Sequence, residues 1–482
     1  MRLGQTSAIF FISRLTGSVF GFIATIYFAR LLGEEVLGFY AVAIALVSWL
    51  TIVGKVGISG AVTKRVSEGD EQGAYATAGG SIIAVLFIVV ALGIMLFQDP
   101  VNDYIGVPIA ELVVLIVFAQ LMLGFTFSLL KGSHLVHVYA LLSTAKQGLR
   151  SVAQVALVFV GWGLVGMLVG YAIGGLLIAI FSLLFLNIRP SLPEKRHFTR
   201  LIDYAKYSWL GSMKGKTFDW VDIIVLGFFV PTGLIGVYSV AWSISRFLEI
   251  FGRGISTTLF PEMSEIAAKN DPSMVSGLTE DALQYAGLIL IPGLVGGFVV
   301  GDRLLLIYGD GFVKGQTVLA ILVSALLVYT YNQQLLNTLN AIDRPDLAFR
   351  SNAVFIASNL LFNIIFVYAI GWIGAAIATT LSAAVALVFA YYYCRSHVPF
   401  EVSYAEIARQ WIASFVMGIG VYFTREFGEA RWTWIDDYNA VFVVLLVSLG
   451  AAIYFFSLII ISTQFRQTVD RNLPVDIPLL SR

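Results

Sequence analysis

Long apolar segments follow one another along almost the whole chain, separated by short polar turns that often contain glycine or proline. A membrane-spanning helix needs about 20 mainly apolar residues. Fourteen segments meet this requirement, at residues 6–29, 37–58, 76–97, 109–131, 138–160, 163–187, 203–229, 234–258, 284–302, 315–338, 351–370, 372–394, 405–424 and 438–461. The pattern therefore predicts an all-α polytopic membrane protein with about fourteen transmembrane helices. The span 203–229 is unusually polar, and 284–302 is unusually short.

Composition agrees with this class and excludes others. Of 482 residues, 58% are hydrophobic and 12% are charged, whereas an ordinary globular chain is about 25% charged. The formal net charge of zero gives no field that would attract a nucleic acid. The single cysteine, Cys394, excludes an internal disulfide and a cysteine-cluster metal site, and the four histidines form no ligand cluster. We expect neither a metal nor a cofactor.

The distribution of lysine and arginine between the connecting segments predicts the orientation. With the N-terminus inside, sixteen basic residues lie in inner segments and five in outer segments. This excess favours a cell-membrane protein with both termini in the cytoplasm. The first apolar run is expected to remain as a membrane helix, because a cleaved signal peptide has a shorter apolar core and a small-residue cleavage site.

The two halves of the chain carry similar segments in the same order. Residues 38–43 (Gly-Phe-Tyr-Ala-Val-Ala) resemble 236–241 (Gly-Val-Tyr-Ser-Val-Ala), and the Gly-Ile-Ser at 57–59 recurs at 254–256. Six helices in each half predict a parallel repeat about an axis along the membrane normal. The predicted organisation is an N-lobe at 1–190, a C-lobe at 200–396, two additional helices at 403–463 and a cytoplasmic tail at 464–482.

Nine of the thirty basic residues are assigned to the membrane part of the predicted spans, where three acidic residues accompany them. Charged residues at the ends of other spans, such as Lys131 and Arg409, are counted with the connecting segments. A charge at the bilayer centre costs about 2.5–3.5 kcal/mol, so such residues usually face a wet cavity or one another. This excess of cations favours an anionic substrate. The nine residues are Arg14, Lys55, Lys146, Arg150, Lys206, Lys214, Lys216, Arg246 and Arg253. Lys55 and Lys206 lie near predicted inner helix ends, and we expect both to snorkel.

The fifth span carries the first candidate site. Lys146, Arg150 and Gln154 follow one another at intervals of four residues and share a helical face. The span has no acidic residue, which favours an anion-binding site; the alternative is a packing stripe that pairs with acids on other helices. Arg14 joins this candidate site because it lies too far inside the first span for snorkelling to explain.

The seventh span combines a cation with two carboxylates. Lys216 and Asp219 are three residues apart and can pair, and Asp222 lies one turn further along. We expect Lys216 to contribute to substrate binding, and Asp219 and Asp222 to bind a coupling cation, sodium or a proton. A self-neutralised structural pair is the alternative.

The eighth span places Glu249 between Arg246 and Arg253, so that the carboxylate can bridge both guanidinium groups. Arginine suits phosphate because its planar fork binds oxygens in a bidentate manner. Substrate binding by these three residues and structural stapling by the same residues both remain open.

Several apolar motifs resemble those of the polysaccharide-biosynthesis flippases, whose superfamily also includes multidrug extruders and the lipid II flippase. The resemblance covers roughly residues 1–395 and rests on the segments 28–33 (Phe-Ala-Arg-Leu-Leu-Gly), 38–40 (Gly-Phe-Tyr), 56–58 (Val-Gly-Ile), 259–264 (Leu-Phe-Pro-Glu-Met-Ser) and 371–376 (Gly-Trp-Ile-Gly-Ala-Ala). It implies a two-lobed, V-shaped transporter that works by alternating access as a monomer. Its substrate would be a lipid-linked oligosaccharide on a polyprenyl phosphate or pyrophosphate, such as undecaprenyl or dolichol, carried from the inner to the outer leaflet.

Two alternatives remain. An ion-coupled multidrug extruder of the same superfamily would more plausibly have an acidic or aromatic cavity, because many of its substrates are cations. A membrane glycan polymerase or ligase would need sizeable outer loops that hold acids or histidines, and the outer segments here are short. The sequence therefore favours a transporter without catalytic residues.

Overall fold

The chain is helical throughout the part that the computed structural model describes, residues 3–55, 57–269 and 272–472, and these ranges contain no strand. Side chains are described except for those of residues 3–19 and 207–217 and of scattered positions at 251–274 and 469–472. Three predicted site side chains, those of Arg14, Lys216 and Arg253, therefore lie outside the described part. The predicted all-α fold class is confirmed.

The chain divides into two compact units, residues 1–239 and 240–482. The helices that lie in or begin in the first unit are α1 (Leu3–Val53), α2 (Ile58–Ser67), α3 (Gln72–Leu96), α4 (Gln98–Ile105), α5 (Ala110–Gly132), α6 (Val136–Phe159), α7 (Gly163–Leu183), α8 (Lys195–Phe229) and α9 (Thr232–Ala268). The second unit holds most of α9 and then α10 (Pro272–Ala286), α11 (Leu290–Leu306), α12 (Gln316–Ala341), α13 (Pro345–Ile370), α14 (Trp372–Arg395), α15 (Tyr404–Arg431), α16 (Asn439–Ile461) and α17 (Thr463–Asn472).

Each predicted span overlaps one of these helices. Nine helical segments among the described residues are long and apolar enough to cross a membrane, and one of them, Phe20–Val53, combines the first two predicted spans. The other predicted spans fall on α6, α8, α9 and α15, which carry more polar and charged residues.

The second predicted span, 37–58, is interrupted. Its helix ends at Val53, and α2 begins at Ile58 after a turn in which Gly57 has φ 76°. A positive φ is readily available to glycine, which has no Cβ. Upstream, Gly33 with φ 78° separates the first two spans within α1.

The short ninth span, 284–302, covers the end of α10 and most of α11, two consecutive helices separated by a turn. A turn at residues 287–289 separates α10 from α11. Pro292 follows this turn, and proline both lacks an N–H and clashes with the carbonyl four residues earlier. The break therefore has a local cause that hydropathy alone does not detect.

The seventh span also begins earlier than predicted, because α8 starts at Lys195. The backbone N–H of Glu194 donates to Nδ1 of His197 at 2.9 Å, and Nε2 of His197 lies 3.1 Å from Oε2 of Glu71. Arg196 adds an ion pair with Glu71 at 2.5 Å. This cluster fixes the start of α8 to the turn before α3.

The boundary between the two compact units lies inside α9, after Ser239. The beginning of α9 packs closely on α1: a Cβ on Gly236 would lie 1.9 Å from the carbonyl oxygen of Glu34, and one on Gly38 would lie 1.9 Å from that of Thr232. Helix α8 packs on α1, α2 and α3. The lobe boundaries derived from the repeat stay a prediction.

In the second unit, α15 and α16 pack together and against α11. Their shared core includes Met417, Val421, Phe442, Leu446 and Tyr454. At one end of these helices, Arg425 binds Asp302 at 2.6 Å and Glu429 at 2.7 Å, and Arg303 binds Glu429 at 2.9 Å. The two C-terminal spans are therefore an integral part of this unit.

Candidate functional site

The best-defined candidate site in the first unit lies on α6, which a row of glycines on α7 holds at close range. A Cβ on Gly170 would lie 2.7 Å from Cα of Gln154, and a Cβ on Gly174 would lie 2.7 Å from Cα of Arg150. Small residues four apart let membrane helices approach closely. The backbone that carries Arg150 and Gln154 is therefore fixed by direct contact with α7.

Gln154 joins three helices. Its side chain is 2% exposed, and its Nε2 donates to the carbonyl oxygen of Met167 at 2.7 Å and to the hydroxyl of Tyr40 at 2.9 Å. Both amide hydrogens thus serve contacts of α6 with α7 and α1. The structure gives Gln154 a packing role, and substrate contact by this residue stays a prediction.

Arg150 is half-buried, and its guanidinium carbon lies 4.8 Å from the ring centroid of Tyr171 on α7. The guanidinium group stacks on the aromatic face and also hydrogen-bonds the hydroxyl of Tyr171. Its Nε is buried and has no hydrogen-bond partner in the described part of the chain. This geometry holds a cation in place while leaving donor capacity for an anionic oxygen.

Lys146 lies one helical turn before Arg150 and is also half-buried. The neighbouring Gln147 faces α1, because its Nε2 would lie 3.6 Å from a Cβ on Gly21. The structure therefore brings Lys146 and Arg150 together on one helix that packs on α1 and α7, as the spacing predicts. Arg14, on α1, has no described side chain.

The two predicted coupling-ion residues lie in different environments on α8. Asp222 is 5% exposed and accepts a hydrogen bond from the hydroxyl of Tyr238 on α9, whereas Asp219 is half-buried. Nearby, the hydroxyl of Tyr104 donates to the carbonyl oxygen of Ile224 at 2.9 Å. Asp222 is therefore held by a tyrosine at the α8–α9 contact.

In the second unit, Arg246 and Glu249 form the ion pair that their spacing predicts. Nη1 of Arg246 lies 2.7 Å from Oε2 of Glu249, and the guanidinium carbon lies 5.7 Å from the ring of Trp242. Glu249 is 3% exposed. The pair neutralises part of the positive charge on α9.

Among the basic residues of the predicted spans, Lys55 differs from the others because it lies in the break between α1 and α2. Its Nζ is 2.6 Å from where a Cβ on Gly124 would lie. Gly124 is inside α5, eight residues before the helix ends at Gly132. The flanking glycines of Gly54-Lys55-Val56-Gly57 are the sequence signal that indicates this interruption.

No group of three or more histidine, cysteine, aspartate or glutamate side chains in the described residues could hold a metal ion.

Comparisons with known proteins give consistent results. Residues 3–267 match the family described as polysaccharide biosynthesis protein. A protein of Haloferax volcanii named "Probable flippase AglR" is 31% identical over 481 residues, which cover 98% of each chain. A second protein of the same organism, "Probable low-salt glycan biosynthesis flippase Agl15", is 27% identical over 424 residues, 88% of this chain and 90% of its own.

Solved structures share the fold at low sequence identity. The lipid II flippase MurJ in an inward closed conformation aligns with a TM-score of 0.79 at 16% identity, covering 96% of this chain and 99% of its own. An inward-facing multidrug resistance transporter of the MATE family aligns with a TM-score of 0.64 at 14% identity, covering 80% and 97%. At these identities the likeness concerns the fold alone.

Proposed function

Because the chain belongs to the polysaccharide biosynthesis protein family, we propose that it is a flippase for a lipid-linked oligosaccharide. The substrate would be carried on a polyprenyl phosphate or pyrophosphate and moved from the inner to the outer leaflet by alternating access. Surface polysaccharide or glycoprotein assembly would use the product. The match of residues 3–267 to the family and the similarity over 98% of the chain to a probable flippase support this proposal.

The observation that carries the substrate class is the pair of cations on α6. Arg150 is stacked on Tyr171 with a buried Nε that has no partner in the described residues, and Lys146 lies one turn away. An apolar side chain would cost less inside the membrane. A phosphate oxygen supplies the charge and the acceptors that this arrangement matches.

The other predicted contacts extend this site in the proposal. Arg14 and Lys216 would contribute further positive charge in the first unit. Substrate contact by Arg246, Glu249 and Arg253, which lie in the second unit, is a separate part of the proposal. Gln154 would act chiefly by fixing the position of α6 through Tyr40 and Met167. The lipid tail would remain in the surrounding bilayer, with the chain acting as a monomer and both termini in the cytoplasm.

A test in the host separates substrate binding from folding. Arg150→Ala and Lys146→Ala are expected to reduce surface glycan without reducing the amount of protein in the membrane. The exposed Lys206, whose Nζ pairs with Asp203 at 2.8 Å, provides the control Lys206→Ala. Normal glycan export by both α6 variants would exclude the anion site on α6.

A coupling cation, sodium or a proton, is the further element of the proposal. Asp219 and Asp222 would bind it, and Asp222 would be oriented by Tyr238. We expect Asp219→Asn to abolish the dependence of transport on an ion gradient. Transport by this variant that still responds to sodium or proton gradients would exclude that role.

Orientation has a direct test as well, because Cys394 is the single cysteine and is buried. In a Cys394→Ala background, a cysteine at the exposed Gln464 or at Ser67 is expected to resist a membrane-impermeant maleimide added to intact cells. A cysteine at Asp436 should react. Inverted labelling would contradict cytoplasmic termini.

A further inference from the structure

The segment Val275–Leu306 of the second unit is long and apolar enough to cross a membrane, but its helix is broken. A turn at residues 287–289 separates α10 from α11 within this segment. Pro292 has no N–H, so the carbonyl oxygen of Leu288 lacks the donor that a continuous helix supplies four residues later. Non-helical backbone at membrane depth is tolerated where it is buried in protein or lines a cavity. The turn therefore offers backbone oxygen atoms to partners other than its own helix.

A tyrosine hydroxyl from α12 reaches this turn because residue 287 is a glycine. A Cβ on Gly287 would lie 2.7 Å from Oη of Tyr331, and this hydroxyl is buried without a hydrogen-bond partner among the described residues. Tyr331 interacts electrostatically with Tyr454 on α16, which is 1% exposed. The hydroxyl of Tyr454 is likewise buried and has no hydrogen-bond partner in the described ranges. Two buried phenol groups near the turn thus retain their hydrogen-bonding capacity.

A glutamine from α15 brings a further oxygen atom to the same place. Nε2 of Gln410 donates to the carbonyl oxygen of Gln284 at 2.8 Å, close to the end of α10. Gln410 is 3% exposed, and its Oε1 is buried with no hydrogen-bond partner in the part of the chain that the structure describes. One half of the amide is therefore fixed on α10 while the other half presents an acceptor.

The charge near the turn favours a cation as the partner of these oxygen atoms. The carbonyl groups at the end of α10 form the negative end of the helix dipole. Two carboxylates, those of Asp281 and Glu406, interact electrostatically with Tyr285, two residues before the turn. Arg409 pairs with Glu406 and offsets one of these two charges. Carbonyl groups at unwound helices and the C-terminal ends of half-helices coordinate monovalent cations in other membrane transporters.

We propose that the turn between α10 and α11 binds a monovalent cation, sodium or potassium. Oη of Tyr331, Oη of Tyr454, Oε1 of Gln410 and backbone carbonyl oxygen atoms of the turn would be its ligands. The ion would hold the two parts of the broken helix against α12, α15 and α16, with which they pack. It would stabilise the second unit whatever substrate the protein carries, so this inference does not depend on the proposed function.

The test measures the thermal midpoint of the purified full-length protein in detergent. Sodium chloride or potassium chloride replaces choline chloride at constant ionic strength, because choline is too large for such a site. At a concentration about ten times its dissociation constant, an ion that binds only the folded state should raise the midpoint by about 3–6 °C. The cation with the lower half-saturating concentration is the one that the site selects. A water molecule would satisfy the same atoms in every salt, so equal midpoints in all three salts would exclude the cation.

Conservative substitutions then locate the ion. Tyr331→Phe and Tyr454→Phe each remove one oxygen atom and keep the ring, and each should raise the half-saturating concentration about tenfold. In choline chloride both variants should be at least as stable as the unchanged protein, because a buried hydroxyl without a partner is destabilising. Tyr422→Phe, at a position on α15 that is 49% exposed, should titrate as the unchanged protein does. A change in midpoint that is equal in all three salts would show a packing effect only and would overturn the proposal.

A glycine substitution tests the same site while keeping every side-chain oxygen atom. Gly287→Ala should weaken the response to the cation by displacing the hydroxyl of Tyr331. Gly296→Ala on α11 is its matched control, because a Cβ there has no heavy atom within 4 Å. An unchanged half-saturating concentration in Gly287→Ala would contradict a ligand role for Tyr331.

The coupling cation proposed for Asp219 and Asp222 lies in the first unit and has to be kept apart from this one. Asp219→Asn should retain the response of the midpoint to the cation, and Tyr331→Phe should weaken it. If Asp219→Asn abolishes the response while Tyr331→Phe leaves it intact, the ion binds in the first unit and this inference is wrong. Failure of the unchanged protein to move lipid-linked oligosaccharide in liposomes would refute the flippase function and leave the titration as it is.

Discussion

The contact between α6 and α7 makes a sharp prediction for Gly174→Ala. An added Cβ would lie 2.7 Å from Cα, 2.9 Å from Cβ and 3.0 Å from N of Arg150. Carbon atoms pack at about 3.5–4.0 Å, so the two helices have to separate by roughly 1 Å. The atoms that would have to move belong largely to the backbone, which leaves no flexible side-chain end to absorb the overlap.

Overpacking of this kind costs about 1–3 kcal/mol. We expect the thermal midpoint in detergent to fall by several degrees, at about 2–4 °C per kcal/mol for a domain of this size. Because Tyr171 lies on α7 and Arg150 on α6, separation of the helices also weakens the stacking at 4.8 Å. Transport should therefore fall even at a temperature where the variant is fully folded.

Gly93→Ala is the control, because it adds the same methyl group to a helix where nothing lies within 4 Å. Alanine favours helix over glycine by about 1 kcal/mol, so this variant should be at least as stable as the original protein. If Gly174→Ala and Gly93→Ala have the same thermal midpoint and the same transport rate, the close α6–α7 contact and its role in positioning Arg150 are wrong.

Two further predictions concern stability. Gln154→Leu removes two hydrogen bonds of about 0.6 kcal/mol each within a membrane and should lower the thermal midpoint while leaving the affinity for farnesyl pyrophosphate unchanged; a selective loss of that affinity would instead indicate a direct substrate contact. Partial burial alone would raise the pKa of Glu429, but hydrogen bonds from Arg425 and Arg303 hold this pKa below its ordinary value. The stabilisation is therefore complete above about pH 4.3 and is lost as the pH falls through the lowered pKa of the folded state. Glu429→Gln should lower the midpoint at pH 7 and reduce its fall in acid, and an unchanged acid profile would contradict this role. Glu265→Gln, at a fully exposed pair with Lys269, should change neither quantity.

The all-α fold class and the order of the helices could be predicted because most of the predicted spans are long apolar segments. The interruptions were harder to predict, since hydropathy averages over a window and does not register a turn at a glycine such as Gly57 or the effect of Pro292. The apolar motifs were sufficient to predict the family, and that prediction is confirmed.

The site could be predicted only in part. Helical spacing correctly places Lys146 next to Arg150, and Glu249 next to Arg246. It does not show that Gln154 uses both amide hydrogens within the bundle, because its acceptors come from distant parts of the chain. It also does not show that Lys55, after the end of α1 at Val53, lies against Gly124 on α5, because the two residues are far apart in the sequence.

The central claim is that the cations of α6 bind the charged head group of a lipid-linked oligosaccharide during its passage across the membrane. The most direct measurement is reconstitution in liposomes, with lipid-linked oligosaccharides from the host scored for exposure in the opposite leaflet. The unchanged protein should accelerate exposure, Arg150→Ala and Lys146→Ala should do so much less, and Lys206→Ala should be as active as the original. Equal exposure with and without the protein, or full activity of both α6 variants, would contradict the claim.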